Sequence, residues 1–379
     1  MDENTRRAWA YLSRVAEPPN QLLAELVSRE GVVAAAERIR CRDVEARLAR
    51  ATEARFDVDR ADEDLEVLDR MGGRLLTEDD DEWPYLAFVS FAGVDRAKRP
   101  QALPPLALWA LGPVSLGEVP GRSAAIVGTR AATAYGEHVA ADFAAGLVER
   151  DVAVVSGGAY GIDGAAHRAA LAGDGETVAV LAAGLDVPYP AGHSALFHRV
   201  ARHGLLVSEY PPGTRPTRRQ FLTRNRLVAA LGGATVVIEA GVRSGAANTA
   251  AWADALGRPV CAVPGPITSA ASAGCHELVR ERRAELVTRA AEVVELVGRC
   301  GELAPERDRP VTEVDGLSDR ELIVFEALPG RGARSVDEIA VAAGIPATDV
   351  LGPLTMLNVR GLAVQQDGCW KLAKRLAKR

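Results

Sequence analysis

Lysine is nearly absent from the middle of this chain, where none occurs between Lys98 and Lys371. A phosphate-binding loop of the Walker A type needs a lysine on the phosphates, and a Schiff-base enzyme needs one to form its covalent bond. The sequence therefore excludes both classes for the central region.

Paired cysteines and long apolar runs are also missing. The five cysteines are scattered and none forms a CxxC pair, which disfavours zinc sites and disulfide frameworks. No apolar run reaches 18 residues, and the N-terminus lacks a basic segment followed by an apolar stretch. We therefore expect a cytoplasmic protein without a metal, a membrane span or a signal peptide.

The distribution of charge is more informative than its sum. A net charge of −6 argues weakly against a nucleic-acid-binding protein. Residues 51–82, however, carry thirteen acids against four arginines, whereas residues 211–231 carry five arginines and no acid. An acidic flank beside a basic strip is compatible with local binding of DNA.

The first third of the chain changes character near residue 70. Apolar residues recur at helical spacing over residues 1–70, which predicts a small helical domain of the SAM or helix-hairpin kind. Residues 71–121 are rich in proline and predict an irregular connecting segment that packs on the next domain.

Residues 122–298 show strands that alternate with alanine-rich helical stretches. The apolar runs lie at residues 123–128, 152–158, 177–184, 204–210, 235–240 and 259–265. Fully apolar strands separated by helices predict an α/β fold with a parallel sheet covered on both faces. The ligand crevice of such a sheet lies beyond the carboxyl ends of its strands.

The C-terminal part predicts a linker at residues 299–315 and a winged helix at residues 316–379 that ends in a basic tail. Its third helix offers to a DNA groove only one cation, Arg360, and one acid, Asp349. We therefore do not expect this part of the chain to carry a main DNA-binding surface.

Two strand-end loops are candidates for binding an anion. Ser156, Gly157 and Gly158 follow a strand and open a helix, where glycine allows close approach of the backbone and the helix N-terminus attracts anions. Arg130 lies in the second loop, Ile126–Gly136, and would emerge at the same edge of the sheet as Ser156. A tight turn without a ligand and a solvated arginine remain the alternatives. The spacing is not GxGxxG, so we predict no cofactor.

The segment Thr214–Arg226 combines arginines with one aromatic residue, Phe221. Arginine binds phosphate through two parallel hydrogen bonds, and an aromatic face can stack on a base. Thr223 is predicted to cap a helix that begins near Arg224. A solvated basic loop with Phe221 in the core is an equally good interpretation of the segment.

Asp163 and His167 lie four residues apart, on one face of a predicted helix. This spacing suits acid–base chemistry, but a structural hydrogen bond is the better expectation. His276 has no second histidine at HExxH spacing, so it predicts no metal site.

Seven motifs in order resemble the DprA/Smf family: VGTR, SGGAYGIDGAAH, VLAAGLDVPYPAGH, SEYPPG, FLTRNRLVAAL, VIEAGVRSGAANTAAWA and AVPGPITSAASAGCHEL. The match covers about residues 80–290. The resemblance implies a Rossmann-like core that binds single-stranded DNA, forms a homodimer, protects incoming DNA and delivers the recombinase RecA onto it in natural transformation.

The resemblance also implies which residues touch DNA. The family's arginine in its glycine–Ser/Thr–Arg loop falls on Arg130, its basic position on Arg218, its aromatic on Phe221, and its Asn-Arg pair on Asn225 and Arg226. The full predicted set is Gly128, Thr129, Arg130, Ser156, Gly157, Gly158, Arg218, Arg219, Phe221, Asn225 and Arg226. The dimer surface is expected near the alanine-rich segment 270–278.

An enzyme is the alternative from another class. The core is similar to nucleotide phosphoribohydrolases of the "lonely guy" type, which use a PGGxGTxxE loop with a catalytic glutamate. The nearest segment here has Gly245 but lacks the glycine pair, and it carries Ala250 and Ala251 where an acid is wanted. We therefore expect no catalytic residue and no enzymatic activity.

Overall fold

The computed structural model describes residues 1–305 and 314–373. The chain divides into two compact units, Met1–Pro305 and Glu306–Arg379, and each is described by itself. The predicted linker and basic tail lie partly outside the described residues, which do not include 306–313 and 374–379.

Five helices form the start of the larger unit. They are α1 (Glu3–Val15), α2 (Gln21–Glu30), α3 (Val32–Arg40), α4 (Ala46–Thr52) and α5 (Ala61–Met71). Asp2 caps α1 by accepting a hydrogen bond from the Thr5 backbone amide at 2.9 Å. Apolar side chains such as Trp9 and Leu68 share one buried cluster with the central sheet. The helices are confirmed, and their separation as a domain stays a prediction.

Nine strands form one sheet. They are β1 (Arg74–Leu76), β2 (Leu108–Leu111), β3 (Ser123–Val127), β4 (Ala153–Ser156), β5 (Thr177–Leu181), β6 (Leu205–Ser208), β7 (Ala234–Val237), β8 (Val260–Ala262) and β9 (Glu285–Leu286). Their order is β1-β2-β6-β5-β4-β3-β7-β8-β9. Strands β3 to β9 are parallel, whereas β2 pairs antiparallel with β6 and with β1. The predicted α/β class with a mostly parallel sheet is confirmed.

The segment 71–121 differs from its prediction, since it is not irregular throughout. It supplies β1 and β2, which extend the sheet beyond β6. These strands are short, and Leu108, Trp109 and Ala110 are all buried, so they show no alternation of apolar and polar residues. The surrounding prolines concealed them.

Eight more helices cover the sheet. They are α6 (Tyr85–Phe88), α7 (Ala134–Val148), α8 (Ile162–Ala172), α9 (Ser194–His203), α10 (Arg218–Leu231), α11 (Gly245–Ala255), α12 (Ala273–Arg280) and α13 (Ala290–Val297). Alternate strand residues face opposite sides. Val155 of β4 packs in the cluster with α6 and α10 to α12, whereas Val154 packs in the cluster with α7, α8 and α13. Both faces are therefore buried.

The smaller unit contains α14 (Asp319–Ala327), α15 (Val336–Ala343), α16 (Ala347–Val359), β10 (Ala363–Gln366) and β11 (Cys369–Leu372). The two strands form an antiparallel hairpin, and Trp370 packs with the three helices in one apolar core. Three helices followed by a hairpin is the predicted order, and the assignment as a winged helix stays a prediction.

Within the described ranges, no single helix has the length and hydropathy needed to cross a membrane. Helices α15 and α16 meet that test only as a pair, and they are bent by 102° at the break between them.

The centre of the sheet is a topological switch point. From β3 the chain moves outward through β4, β5 and β6, and β7 then pairs with the other side of β3. Connections that diverge in this way open a crevice beyond the carboxyl ends of the two central strands. The loops that follow Val127 and Val237 border it.

Candidate nucleic-acid interface

A cleft of about 650 Å³ lies at this switch point. The loops after β3, β4, β5 and β7 line it together with the first turns of α10. Its lining holds four arginines and a single acid, Asp163, which is buried. The arginines are Arg130, Arg218, Arg224 and Arg243. The cleft is therefore electropositive although the whole chain is acidic.

The loop after β3 is held rigidly from beneath. The Thr129 amide donates to the backbone carbonyl of Glu239 at 2.8 Å. The Thr133 amide and hydroxyl donate to the Glu239 carboxylate at 3.0 and 2.6 Å. Gly161 has a φ of +73°, and a side chain there would collide with the carbonyls of Thr129 and Arg130. These contacts fix the backbone on both sides of Arg130.

Glu239 escaped the sequence analysis as a site residue. The available signal was an acid directly after an apolar strand, in VVIEAG, at the edge where the ligand was expected. The side chain is almost wholly buried, at 1% exposure, so it positions the loop and does not face the cleft.

Arg130 itself is exposed, with its guanidinium 4.7 Å from the centre of the Phe221 ring. Among residues 1–305 and 314–373 it has no hydrogen-bond acceptor and no ion-pair partner. The cation is thus steered by an aromatic face and left free to bind an anion. Gly128 and Thr129 also line the cleft, as predicted residues of the same loop.

Helix α10 begins at a different residue from the one predicted. Thr217 caps it in a capping box, since the Gln220 amide donates to the Thr217 hydroxyl and the Thr217 amide donates to Gln220 Oε1 at 2.7 Å. The predicted cap at Thr223 was wrong, because that residue is buried one and a half turns inside the helix. The T-x-x-Q pattern was the overlooked signal.

The earlier start places Arg218 and Arg219 in the first turn of α10, where both are exposed. Arg218 lines the cleft, and neither side chain has an ion-pair partner within the described ranges. Phe221 is half-buried and also lines the cleft. Cations at a helix N-terminus oppose the helix dipole, so a bound anion would relieve an unfavourable local charge.

The later arginines of α10 point into the core. Arg224 donates to the backbone carbonyls of Gly157 and Val180, and burial lowers the pKa of its guanidinium to about 10. Arg226 has no exposed surface, and it donates to both oxygens of Glu209, at 2.8 and 2.6 Å. The structure therefore places the predicted DNA contact Arg226 outside the cleft, in a buried ion pair.

The loop after β4 is built around Arg224. A side chain on Gly157 would collide with the Arg224 guanidinium, so glycine at this position makes room for the arginine. Ser156 is fully buried and donates to the Ile126 carbonyl at 2.6 Å. Gly158 adopts a φ of +74°. Of the three predicted residues only Gly157 lines the cleft, and the tight-turn alternative describes the other two.

Asp163 and His167 do not bond each other. The Ala159 amide donates to Asp163 at 3.2 Å, and burial raises the pKa of this carboxyl against the opposing charge of Arg224. His167 Nδ1 lies 2.7 Å from the Thr177 hydroxyl, and burial lowers the pKa of its imidazole to about 3. Each side chain therefore makes a structural hydrogen bond, as expected, and finds its partner outside the helix.

The far wall of the cleft comes from the loop after β7. Asn225 donates to the Gly245 carbonyl and to Asn248, both at 3.2 Å, and so ties α10 to the start of α11. Ser244 caps α11, and Arg243 is exposed beside it. Sequence analysis missed Arg243, although a lone cation between strand and helix was its signal.

Among the described residues, this region offers neither a metal site nor an acid at the position where a hydrolase would need one. Within the described ranges, no group of three or more potential ligands could hold a metal ion. Ala250 and Ala251 lie on α11, and the one acid that lines the cleft is the buried Asp163. The lining therefore offers a strand of nucleic acid several cations but offers a nucleotide bond no exposed carboxylate.

Comparisons with known proteins agree with this arrangement. The sequence model of the family described as DNA recombination-mediator protein A matches residues 74–298. A Mycobacterium tuberculosis protein provisionally named DNA processing protein DprA is 65% identical over 374 residues, which cover 99% of this chain and 96% of that protein. Protein Smf of Escherichia coli is 37% identical over 240 residues, covering 62% of this chain and 64% of that protein.

A solved structure gives the same result. The X-ray structure of DNA processing protein A from Streptococcus pneumoniae matches with a TM-score of 0.62 at 30% identity, and the match covers 78% of this chain and 98% of that one. None of these descriptions names an enzymatic activity. The chain belongs to the DNA recombination-mediator protein A family, whose relatives are named DprA and Smf.

Proposed function

We propose that the cleft binds single-stranded DNA through its phosphates and stacks an unpaired base on Phe221. The observation that carries the proposal is the pairing of free cations with an accessible aromatic ring. Arg130 and Arg218 line one cleft with Phe221, and within the described ranges neither arginine has an ion-pair partner. Arginine beside a stacking face is the common arrangement for binding single strands.

The geometry favours a single strand over a duplex. A base must leave its stack to reach Phe221, and bases in a duplex are already stacked and paired. The cleft lies between strand-end loops, and no helix within the described ranges projects from it as a helix would into a major groove. Contacts directed at phosphates carry little sequence information, so we propose binding with little sequence preference.

The contact set follows from this placement. We retain the predicted residues that line the cleft or flank it with a free cation, and we add Arg243. The proposed set is Gly128, Thr129, Arg130, Gly157, Arg218, Arg219, Phe221, Asn225 and Arg243. Ser156, Gly158 and Arg226 contribute by holding the fold.

We further propose that the protein works in the cytoplasm as a homodimer, protects incoming single strands and passes them to RecA. The family's description as a recombination mediator and the names of the relatives support this role. The segment 270–278, with the neighbouring Ile267 at 91% exposure, is the proposed dimer surface. A strict monomer in light scattering at micromolar concentration would contradict the dimer.

The direct test compares a labelled oligothymidylate with a duplex of the same length. We expect tighter binding of the single strand and an affinity that falls steeply with salt, because neutralised phosphates release counterions. Equal affinity for the duplex, or indifference to salt, would contradict the proposal.

A further inference from the structure

We infer that Tyr189 is a second base-stacking residue of this cleft, so that the aromatic platform consists of two rings. The inference rests on the proposed function and extends it to a residue outside the predicted set. Tyr189 follows β5, in the sequence DVPYP, and it lines the same cleft as Arg130 and Phe221.

The ring of Tyr189 continues the surface that Phe221 begins. The two ring centroids lie 5.5 Å apart with their planes inclined by 49°, and the Arg130 guanidinium lies 4.7 Å from the centre of the Phe221 ring. Three flat groups, from the loops after β3 and β5 and from α10, are therefore contiguous. Base stacking tolerates any base, since every base presents a π face.

Tyr189 is poorly explained by packing alone. It remains 47% exposed, although a tyrosine that serves the core buries most of its ring. Within residues 1–305 and 314–373 its hydroxyl has no hydrogen-bond partner. The ring is thus held beside Phe221 with one side open to solvent, and its hydroxyl is not needed for the fold.

The inclination between the rings defines the ligand. One base cannot lie flat on two planes that differ by 49°. The pair therefore suits neighbouring unpaired bases of one strand, one for each ring, with the phosphate between them near Arg130. The ligand class is a flexible single strand with intact bases.

A matched pair of strands tests this inference. Tyr189→Leu keeps apolar bulk but removes the ring, and Tyr189→Phe removes only the hydroxyl. For each variant we measure the binding of a labelled oligothymidylate and of a strand of the same length whose sugars carry no bases. Tyr85→Leu is the control, because Tyr85 is 65% exposed and is not among the residues that line the cleft.

We expect Tyr189→Leu to bind the oligothymidylate about tenfold more weakly than the wild type and to bind the abasic strand equally well. Tyr189→Phe and Tyr85→Leu should match the wild type on both strands. Arg130→Ala should weaken the binding of both strands, since both carry phosphates. Normal binding of the oligothymidylate by Tyr189→Leu, or an equal loss on both strands, would overturn the inference.

Binding by the wild-type protein separates a failure of this inference from a failure of the proposed function. A wild-type protein that binds neither strand would end the proposed function and the inference with it. A second measurement needs no variant: photocrosslinking of the wild-type protein to an oligonucleotide that contains 5-iodo-deoxyuridine, with the attached residue identified by mass spectrometry. Attachment at Tyr189 supports the inference, and attachment at Phe221 without any at Tyr189 overturns it.

Discussion

The first turn and the middle of helix α10 carry the same residue type in opposite settings. Arg218 and Arg219, in the first turn, are exposed and have no ion-pair partner within the described ranges. Arg224 and Arg226, two turns later, are 5% and 0% exposed and bind backbone carbonyls and Glu209. The helix runs from the cleft over one face of the sheet, where it packs on β3, β4 and β5.

The contrast shows that one basic strip performs two tasks. The buried arginines hold the loops that form the cleft, since Arg224 bonds the loop after β4 and Arg226 pairs with Glu209 after β6. The exposed arginines are left for the ligand. Changing the exposed arginines should affect binding alone, and changing the buried arginines should affect stability first.

The largest effect on binding should come from the exposed arginines. Arg130→Ala combined with Arg218→Ala should weaken single-strand binding by roughly 3–6 kcal/mol, because each substitution removes a charge-assisted contact of about 1.5–3 kcal/mol. The free energy of unfolding in urea should stay within about 0.5 kcal/mol of the wild type. Fluorescence anisotropy measures the first quantity, and normal binding by this variant would show that the cleft is not the site.

The buried Arg226 should show the reverse, a large effect on stability. Arg226→Ala should lower the free energy of unfolding by about 3–5 kcal/mol, since it leaves the Glu209 carboxylate buried without its partner. Urea denaturation followed by circular dichroism measures the change. The matched control is Arg226→Met with Glu209→Leu, which removes both charges and should recover much of the loss. A fully stable Arg226→Ala protein would refute a structural role for the pair.

Gly157 tests the contact between the loop after β4 and the buried Arg224. Gly157→Ala should destabilise the protein by about 1–3 kcal/mol, because the new methyl group meets the Arg224 guanidinium. Gly157→Ala combined with Arg224→Met should show an interaction energy between the two sites, measured in a double-mutant cycle. Additive effects would mean that this glycine does not serve the arginine.

Removal of the smaller unit should have a moderate effect on binding. Deleting residues 316–379 should reduce single-strand affinity by about tenfold, or about 1.4 kcal/mol. The larger unit keeps every residue that lines the cleft. Anisotropy titration of the folded truncated protein measures the loss. Abolished binding here, together with normal binding by the double arginine variant, would place the site in the smaller unit.

The smallest effect concerns the dependence of stability on pH through the buried His167. The pKa of His167 is lowered from 6.5 to about 3 by burial, so the unfolded chain binds more protons than the folded chain between these values. The stability is therefore fully present above pH 6.5 and is lost as the pH falls toward 3. We expect a loss of about 1 kcal/mol between pH 7 and pH 5.5 from this group.

Urea curves at the two pH values test the assignment to His167. His138→Gln serves as the control, because the His138 side chain is 73% exposed. His167→Gln should flatten the dependence on pH while His138→Gln leaves it unchanged. The same pH dependence in the His167 variant would show that another group is responsible.

Local pattern predicted the fold better than it predicted the site. Six apolar runs coincide with β3 to β8, because strands buried on both faces need continuous apolar sequence. The strip at residues 214–226 identified the correct segment. It could not separate Arg218 from Arg226, because only the helix start at Thr217 fixes which side each residue faces.

What remained hidden was brought together by tertiary structure. Tyr189 lies in the loop after β5, whereas Glu239 and Arg243 lie in the loop after β7, and only the order of the strands brings these two loops to one edge of the sheet. The sequence suggested that Gly157 makes room for a ligand. In the structure this position makes room for Arg224, which lies 67 residues later in the chain.

The salt dependence of single-strand binding tests the central claim most directly. Each phosphate contact contributes about −0.7 to the slope of log K against log salt concentration for a single strand. The Arg130→Ala, Arg218→Ala protein should therefore show a slope smaller in magnitude than that of the wild type by about 1.4, whereas the Arg226→Met, Glu209→Leu protein should keep the wild-type slope. Equal slopes for all three proteins would contradict the claim that the exposed arginines of this cleft hold the DNA.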